Sequence, residues 1–320
     1  MFPGVGMDLP EGYSARRAHA SDVDAVAALT AAVDIALGTE PTYRRGEVLI
    51  DWNRPGFDLD LDTWMIERDG RPAAFGHLVP RGNSDLVLMM WVHPDHEEPA
   101  LPAGLISAME ERARVVAGHS SYTRGIAVAS EKETLLRSAI ENRGFAPDAL
   151  FVEMVCDLDG EAPQRSGPNG IALRTYAAAD AQRFYEVLVA AFSEHWGAGF
   201  PPFEEWLRDV TGLEGYDPYL LLVALEGDEM VGALFASVHG DLGEVHDIGV
   251  LPSHRGRGIG EALMLEIFDR FRSRDGRRAR LWVDTQNVTD AIRLYERVGM
   301  SVAQRMHFYA KSLTAEGSSS

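Results

Sequence analysis

The chain has 320 residues, 30 Lys and Arg against 49 Asp and Glu, and a formal net charge of −19. Its length predicts two domains of about 150 residues, and 46% hydrophobic with 25% charged content excludes a mostly disordered chain. Apolar runs such as Tyr219–Leu225 are far shorter than the roughly 20 residues of a membrane span, the acidic charge argues against nucleic acid, and the single Cys156 excludes an internal disulfide or a CxxC metal pair.

The opening stretch MFPGVGMDLPEG lacks the basic flank and apolar run of a secretory signal, so a cytoplasmic chain is expected, with no membrane partner. A helix follows Asp22, with Val26, Leu29, Val33 and Leu37 on one face. Short strands run through TWMIERDGRPAAFGHLV (63–79), and a Val-x-Pro step stands at Val92–Pro94. A helix, a strand, a helix ending at Arg-Gly-Phe and the strand LFVEMVCDL complete this half. The plan then repeats at an offset of 158: Arg174 and Asp180 match Arg16 and Asp22. Phe184, Val187, Leu188, Ala191 and Phe192 form the helical face, and LLLVALEGDEMVGALFASV (220–238) the strands. Val250–Pro252 repeats the proline step, and MHFYAKSL is the last strand. The boundaries expected are therefore 1–158 for one α/β unit, 159–169 for a Gly- and Pro-rich linker, 170–314 for its repeat, and 315–320 for a flexible tail. Strands alternating with helices predict an α/β fold, a mixed sheet covered on both faces in each unit.

The halves differ at one loop. In the second, the strand GEVHDIGVL runs into Arg255, Gly256, Arg257, Gly258, Ile259 and Gly260, and then into a helix. Glycines allow close backbone approach, and a helix start offers unpaired N–H groups, so this turn suits a pyrophosphate. Residues 254–282 carry eight Arg, no Lys and four acids, a local charge of +4 that predicts an anion site. A dinucleotide fingerprint would need glycine where Glu261 stands, and no Gly-Lys-Ser/Thr follows for a P-loop. The first half has Glu97, Glu98, Pro99, Ala100, Leu101 and Pro102 at the matching positions. Two carboxylates and two prolines there disfavour an anion, so this half is expected to bind no phosphate and to be non-catalytic.

Arg255-x-x-Gly258-x-Gly260 after Gly-Val-x-Pro resembles motif A of the GCN5-related N-acetyltransferases, and Asn287-Val-Thr-Asp-Ala-Ile-Arg-Leu-Tyr-Glu-Arg-Val-Gly-Met resembles their motif B. The likeness covers 170–313 by motif and 13–158 by fold. It implies two tandem domains of this type, each with a mostly antiparallel central sheet flanked by helices, with acetyl-CoA as cosubstrate and no metal. It also implies roles. The loop amides from Arg255 to Gly260 would hold the pyrophosphate, the backbone at Ile248–Val250 the pantetheine arm, and Asn287 and Arg293 would assist in binding the acyl-CoA. Glu244, eleven residues before Arg255, stands at the spacing of the family's catalytic glutamate, and Tyr295 at the position of the tyrosine that protonates the departing thiolate. The first half has Ile140 in place of that tyrosine.

Residue chemistry adds detail. Strand alternation predicts Glu244, His246 and Ile248 on one face and Asp247 on the other. His246 is a second candidate base with a better intrinsic pKa, and Asp247 is the weakest of the three. Asn287 also reads as a helix N-cap with Asp290. Residues 193–219 hold six acids against Arg208, and six aromatics (Trp196, Phe200, Phe203, Trp206, Tyr216, Tyr219). As a group they favour a small cationic amine as partner. The expected function is N-acetylation of such an amine by a monomer. The alternatives are the tandem branch of the family that acetylates the cysteinyl amine of a pseudodisaccharide thiol, and an acyl-CoA-responsive binding protein without turnover.

Overall fold

The structure is a computed structural model that describes residues 7–82, 84–160, 167–193, 196, 200–286 and 291–314. Two compact units divide the chain, one of residues up to Ala149 together with those from Met306 onward, the other Leu150–Arg305. These limits differ from the sequence boundaries at 158 and 170. Each unit takes its last strand from the other repeat, an exchange that hydrophobic pattern cannot reveal because the pattern marks a strand and not the partner it pairs with. The core of the expected linker, residues 161–166, and the tail 315–320 lie outside the described residues.

In the first unit, β1 (Tyr13–Arg16) is followed by α1 (Val23–Leu37), α2 (Arg45–Trp52) and α3 (Leu59–Asp62). Then come β2 (Thr63–Arg68), β3 (Arg71–Arg81), β4 (Asp85–Val92), α4 (Ala100–Ala117), β5 (Arg124–Ser130), α5 (Thr134–Asn142) and the start of β6 (Ala146–Asp157). The second unit continues β6 and adds β7 (Ile171–Thr175), α6 (Ala181–Phe192), α7 (Phe203–Gly212), β8 (Leu221–Glu226) and β9 (Glu229–His239). It goes on through β10 (Leu242–Val250), α8 (Ile259–Arg272), β11 (Arg278–Asp284), α9 (Ala291–Arg297) and the start of β12 (Ser301–Ser312). Sheet order is β1-β2-β3-β4-β5 in the first unit, closed by Met306–Ser312 of β12 against β5. In the second it is β7-β8-β9-β10-β11, closed by Phe151–Asp157 of β6. β4 with β5 and β10 with β11 run parallel; the other paired neighbours run antiparallel. The mixed, mostly antiparallel sheet that the family resemblance implies is present in each unit.

The repeated arginine and aspartate have one structural task. Arg16 grips Asp22 with both terminal nitrogens, at 2.6 and 3.0 Å, and Arg174 grips Asp180 at 2.6 and 2.9 Å. Each aspartate also accepts a backbone N–H three residues earlier, from His19 and from Ala177, at 2.7 Å. These bonds fix the turn that launches α1 or α6. Phe184, Val187, Leu188 and Ala191 of α6 are buried, as the helical face predicts. Phe184, Val187 and Leu188 pack with Trp206 and Val210 of α7 on Phe235 of β9, while α8 buries Ile259, Leu263 and Phe271, and α9 buries Ala291 and Tyr295, against the opposite face of the sheet.

What positions the site is the departure of β10 from β11. Their pairing ends at Val245 and Leu281, whereas β10 stays on β9 as far as Val250. β10 therefore ends with one edge on β9 and the other turned away from β11.

Candidate active site

A β-bulge decides which side chains meet. Register on β9 shifts between Val245 and Asp247, leaving His246 as the extra residue. Glu244 stands opposite Ser237, and Asp247 opposite Phe235. Ser237 and Phe235 are two apart on β9 and share a face, so Glu244 and Asp247 share it too. His246 joins them: its Nε2 lies 2.8 Å from Ser237 Oγ, and its ring stacks on Phe235 with centroids 4.8 Å apart. Ile248 pairs with Leu234 and belongs to the opposite face. Simple alternation thus misassigned Asp247 and Ile248, because one inserted residue reverses every side chain beyond it.

Glu244 is held by Arg280 of β11. The guanidinium NH2 group lies 2.8 Å from Glu244 Oε2, and NH1 lies 3.7 Å from Glu153 of β6. Arg280 is fully buried, and a buried charge is tolerable only beside such partners. Burial raises the half-buried Asp247 carboxyl to about 6, which puts a second proton acceptor near neutrality. Sequence reasoning missed Arg280, Ser237 and Glu153. The signal for Arg280 was a lone arginine inside the apolar run from Ala279 to Val283, where a charge needs a buried partner.

The glycine loop forms the turn it was expected to form. Gly256 and Gly258 have φ of +75° and +80°, and Gly258 is the N-cap of α8. A Cβ at either would meet nothing within 4 Å, so the backbone there faces open space. The first amides of α8 and this turn suit an anionic group such as a pyrophosphate. Arginine charge contributes less than the +4 count implied. Arg257 pairs with Glu226 at 2.6 Å, Arg274 with Asp217 at 2.9 Å, Arg278 with Asp241 at 3.0 Å, and Arg255 donates to Ala191 O at 3.0 Å. Arg270 and Arg272 bond Glu266 and Asp269, two of the four acids already in that count. The cradle rests on backbone geometry, and Gly258→Pro, which cannot reach a φ of +80°, should weaken acetyl-CoA binding by more than about tenfold. Titration calorimetry measures this, with circular dichroism confirming that the fold persists.

Tyr295 and the backbone candidates lie toward the other face. Ile248 and Val250 pack on the cluster that contains Ile259 of α8 and Tyr295 of α9. Tyr295 is buried, and burial raises its phenol well above the ordinary value, so it stays protonated at neutral pH. Among the described residues its hydroxyl has no hydrogen-bond partner. Arg293 is exposed on α9, Gly260 is partly buried in the first turn of α8, and Asn287 with Asp290 lies outside the described residues. The sequence-predicted residues therefore separate into two groups. Glu244 and His246 stand on the α6 face, and Ile248, Val250, Ile259 and Tyr295 on the α8 face. Residues on both faces can meet one molecule only where β10 leaves β11.

Most aromatics of 193–219 are packing. Phe203 and Trp206 meet Tyr185 of α6 with centroids at 5.5 and 5.4 Å, and Phe200 meets Phe192 at 5.6 Å. Tyr219 lies under Arg270 and Arg274. Glu204 and Glu214 are exposed, Asp209 pairs with Arg208, and Glu194 lies outside the described residues.

In the first unit the same topology carries none of this chemistry. Ser237, Glu244 and Arg280 stand side by side across β9, β10 and β11; Val79, Val87 and Ile126 do so across β3, β4 and β5. All three are buried, and β4 keeps register with β3 without a bulge. The α1 side of that sheet is filled by Tyr43, Phe75 and Trp91, with Tyr43 stacked on Trp91 at 4.8 Å. His77 among them is fully buried, and burial lowers it to about 4. Ile140 is fully buried, Glu98 lies 3.6 Å from Arg68, and Met7 and Leu9 pack against the cluster around Leu101 and Leu105 of α4.

Comparison with known proteins bears on the family and the fold. Residues 181–300 match the Acetyltransferase (GNAT) family. Mycothiol acetyltransferase of Thermomonospora curvata is 30% identical over 243 residues, covering 73% of this chain and 76% of its relative. A GCN5-related N-acetyltransferase from Sphaerobacter thermophilus is 31% identical, with TM-score 0.79 over 96% of this chain and 98% of that one. The chain belongs to the GNAT acetyltransferase family. It is an N-acetyltransferase that uses an acyl-CoA, of the tandem type resembling mycothiol synthase. A tandem GNAT protein from the clavulanic acid biosynthesis pathway has the same fold, with TM-score 0.70 over 95% of this chain and 99% of that one at 15% identity. Among the described residues no helix is long and apolar enough to cross a membrane.

Proposed function

We propose that the second unit transfers an acetyl group from acetyl-CoA to the primary amine of a small cationic acceptor, by direct attack within a ternary complex. The observation that carries this reading is the bulge, which gathers Glu244, His246 and Asp247 on one face beside the parting of β10 and β11. Three groups that carry or accept protons, backed by one buried arginine, favour a cation over an anion. Glu244 takes the proton of the ammonium group, directly or through one water, which frees the nitrogen lone pair for attack on the thioester carbonyl. An N–H on the unpaired edge of Ile248–Val250 faces the oxygen on which charge develops. The Tyr295 hydroxyl protonates the departing sulfur. Gly256 to Gly260 hold the pyrophosphate, Asn287 and Arg293 assist, and no metal takes part.

The test is release of free thiol from acetyl-CoA over a panel of amines. The relatives' name, mycothiol acetyltransferase, favours a second reading in which the acceptor is the cysteinyl amine of the pseudodisaccharide thiol, and that compound belongs in the panel. Tyr295→Phe removes one hydroxyl and keeps the packing, so kcat should fall while the melting temperature stays within about a degree or two. The first unit, a non-catalytic copy in this reading, adds no site. Calorimetric titration should give one acetyl-CoA per chain, and a stoichiometry of two would refute that division of labour.

A further inference from the structure

His246 is one end of a hydrogen-bonded chain on the acceptor-side face whose other members, Ser237 and His239, have no part in the reading above. Ser237 is fully buried and stands opposite Glu244. Its Oγ lies 2.8 Å from His246 Nε2 and 3.0 Å from His239 Nε2. A hydroxyl has one proton to give and can accept two. When both rings are neutral, full pairing requires one ring to present Nε2–H to the oxygen and the other to accept the hydroxyl proton. The tautomer at one histidine then fixes the tautomer at the other. Both ends of the chain are positioned. His246 is set by the bulge and by its stack on Phe235. His239 closes β9 at the hairpin to β10 and is partly exposed, and a Cβ at Gly215 would lie 3.2 Å from its Cε1.

We propose that His246, Ser237 and His239 form a proton relay that carries the acceptor's proton from the Glu244 face to the hairpin end of β9. The proposal rests on the acetyl-transfer reading and extends it. The proton leaves the ammonium nitrogen through Glu244 and binds His246 Nδ1. The Nε2–H bond of His246 breaks as its proton passes to Ser237 Oγ. The former hydroxyl proton moves to His239 Nε2, and His239 releases its Nδ1 proton to water. One proton enters and one leaves, no oxidant or reductant is needed, and ring protons exchange with water to restore the starting tautomers. Ser237 and His239 act through His246 and are positioning residues. The charged and titratable groups around them are Glu244 and Asp247 on β10, Arg280 on β11 backed by Glu153 on β6, and Glu214, Tyr216 and Asp217 in the segment beside His239.

The test uses the full chain, acetyl-CoA, and glucosamine, spermidine and cysteine methyl ester as amine probes. Ser237→Ala and His239→Ala should each lower kcat/KM by about tenfold or more and shift its pH profile, while Ser237→Thr keeps most of the rate. Imidazole buffer should restore His239→Ala and leave the parent unchanged. Ring-nitrogen NMR should find opposite tautomers at His239 and His246 with linked titrations, and independent titrations in Ser237→Ala. Full kcat/KM in Ser237→Ala across about pH 6–9, or ring titrations identical to the parent's, overturns the relay alone. A parent that acetylates none of the probes overturns the transfer reading for these amines, and the relay with it.

Discussion

Glu244→Gln should lower kcat by about 10²–10⁴ and leave acetyl-CoA binding nearly unchanged. Gln keeps the shape and a carbonyl oxygen toward Arg280, so positioning survives while the proton acceptor is lost. Arg280 retains Glu153 at 3.7 Å and is not left as a lone buried charge. The residual rate has a pH signature. Asp247, raised to about 6 by burial, lies on the same face. It accepts protons only when ionised, so turnover of the Glu244→Gln variant should rise through pH about 6, and adding Asp247→Asn should remove that limb. The pH dependence of kcat for the two variants measures this. Parental turnover in Glu244→Gln would pass the base role to another group.

The repeat, the α/β class and the glycine turn were legible because each depends on local chemistry. Arg16 with Asp22, and Arg174 with Asp180, sit at the same spacing and make the same bidentate pair. Gly256 and Gly258 were read as a turn that lets the backbone approach an anion, and both take the positive φ that such a turn uses. What eluded the sequence depends on pairing between distant strands. The extra residue at His246 is invisible until β9 supplies the register, and it reverses the faces of Asp247 and Ile248. The arginine-rich stretch reads as an anion patch because its partners Glu226, Asp217 and Asp241 lie elsewhere in the chain. The strand exchange is hidden for the same reason: nothing in LFVEMVCDL states which sheet it joins.

That exchange predicts how the chain can be cut. A fragment of residues 159–320, divided where the sequence places the linker, lacks Leu150–Leu158 of the second unit. β11 then loses the strand that pairs with it from Arg278 to Asp284, and Arg280 loses Glu153. Val152, Met154 and Leu158 leave the second unit's core, together with the Leu158 carbonyl that accepts from Arg272 at 2.8 Å. Three buried apolar side chains at about 1.5–3 kcal/mol each amount to about 5–9 kcal/mol, within the 5–15 kcal/mol that typically separates folded from unfolded domains. The fragment should show no cooperative thermal transition and no acetyl-CoA binding. A fragment beginning at Leu150 keeps the strand and should regain both, as should the shorter fragment mixed with a peptide of residues 146–158. Circular dichroism melts and calorimetry of the three samples decide the matter. A cooperative melt and tight binding in the 159–320 fragment alone would mean that the second repeat closes its sheet without the strand of the first.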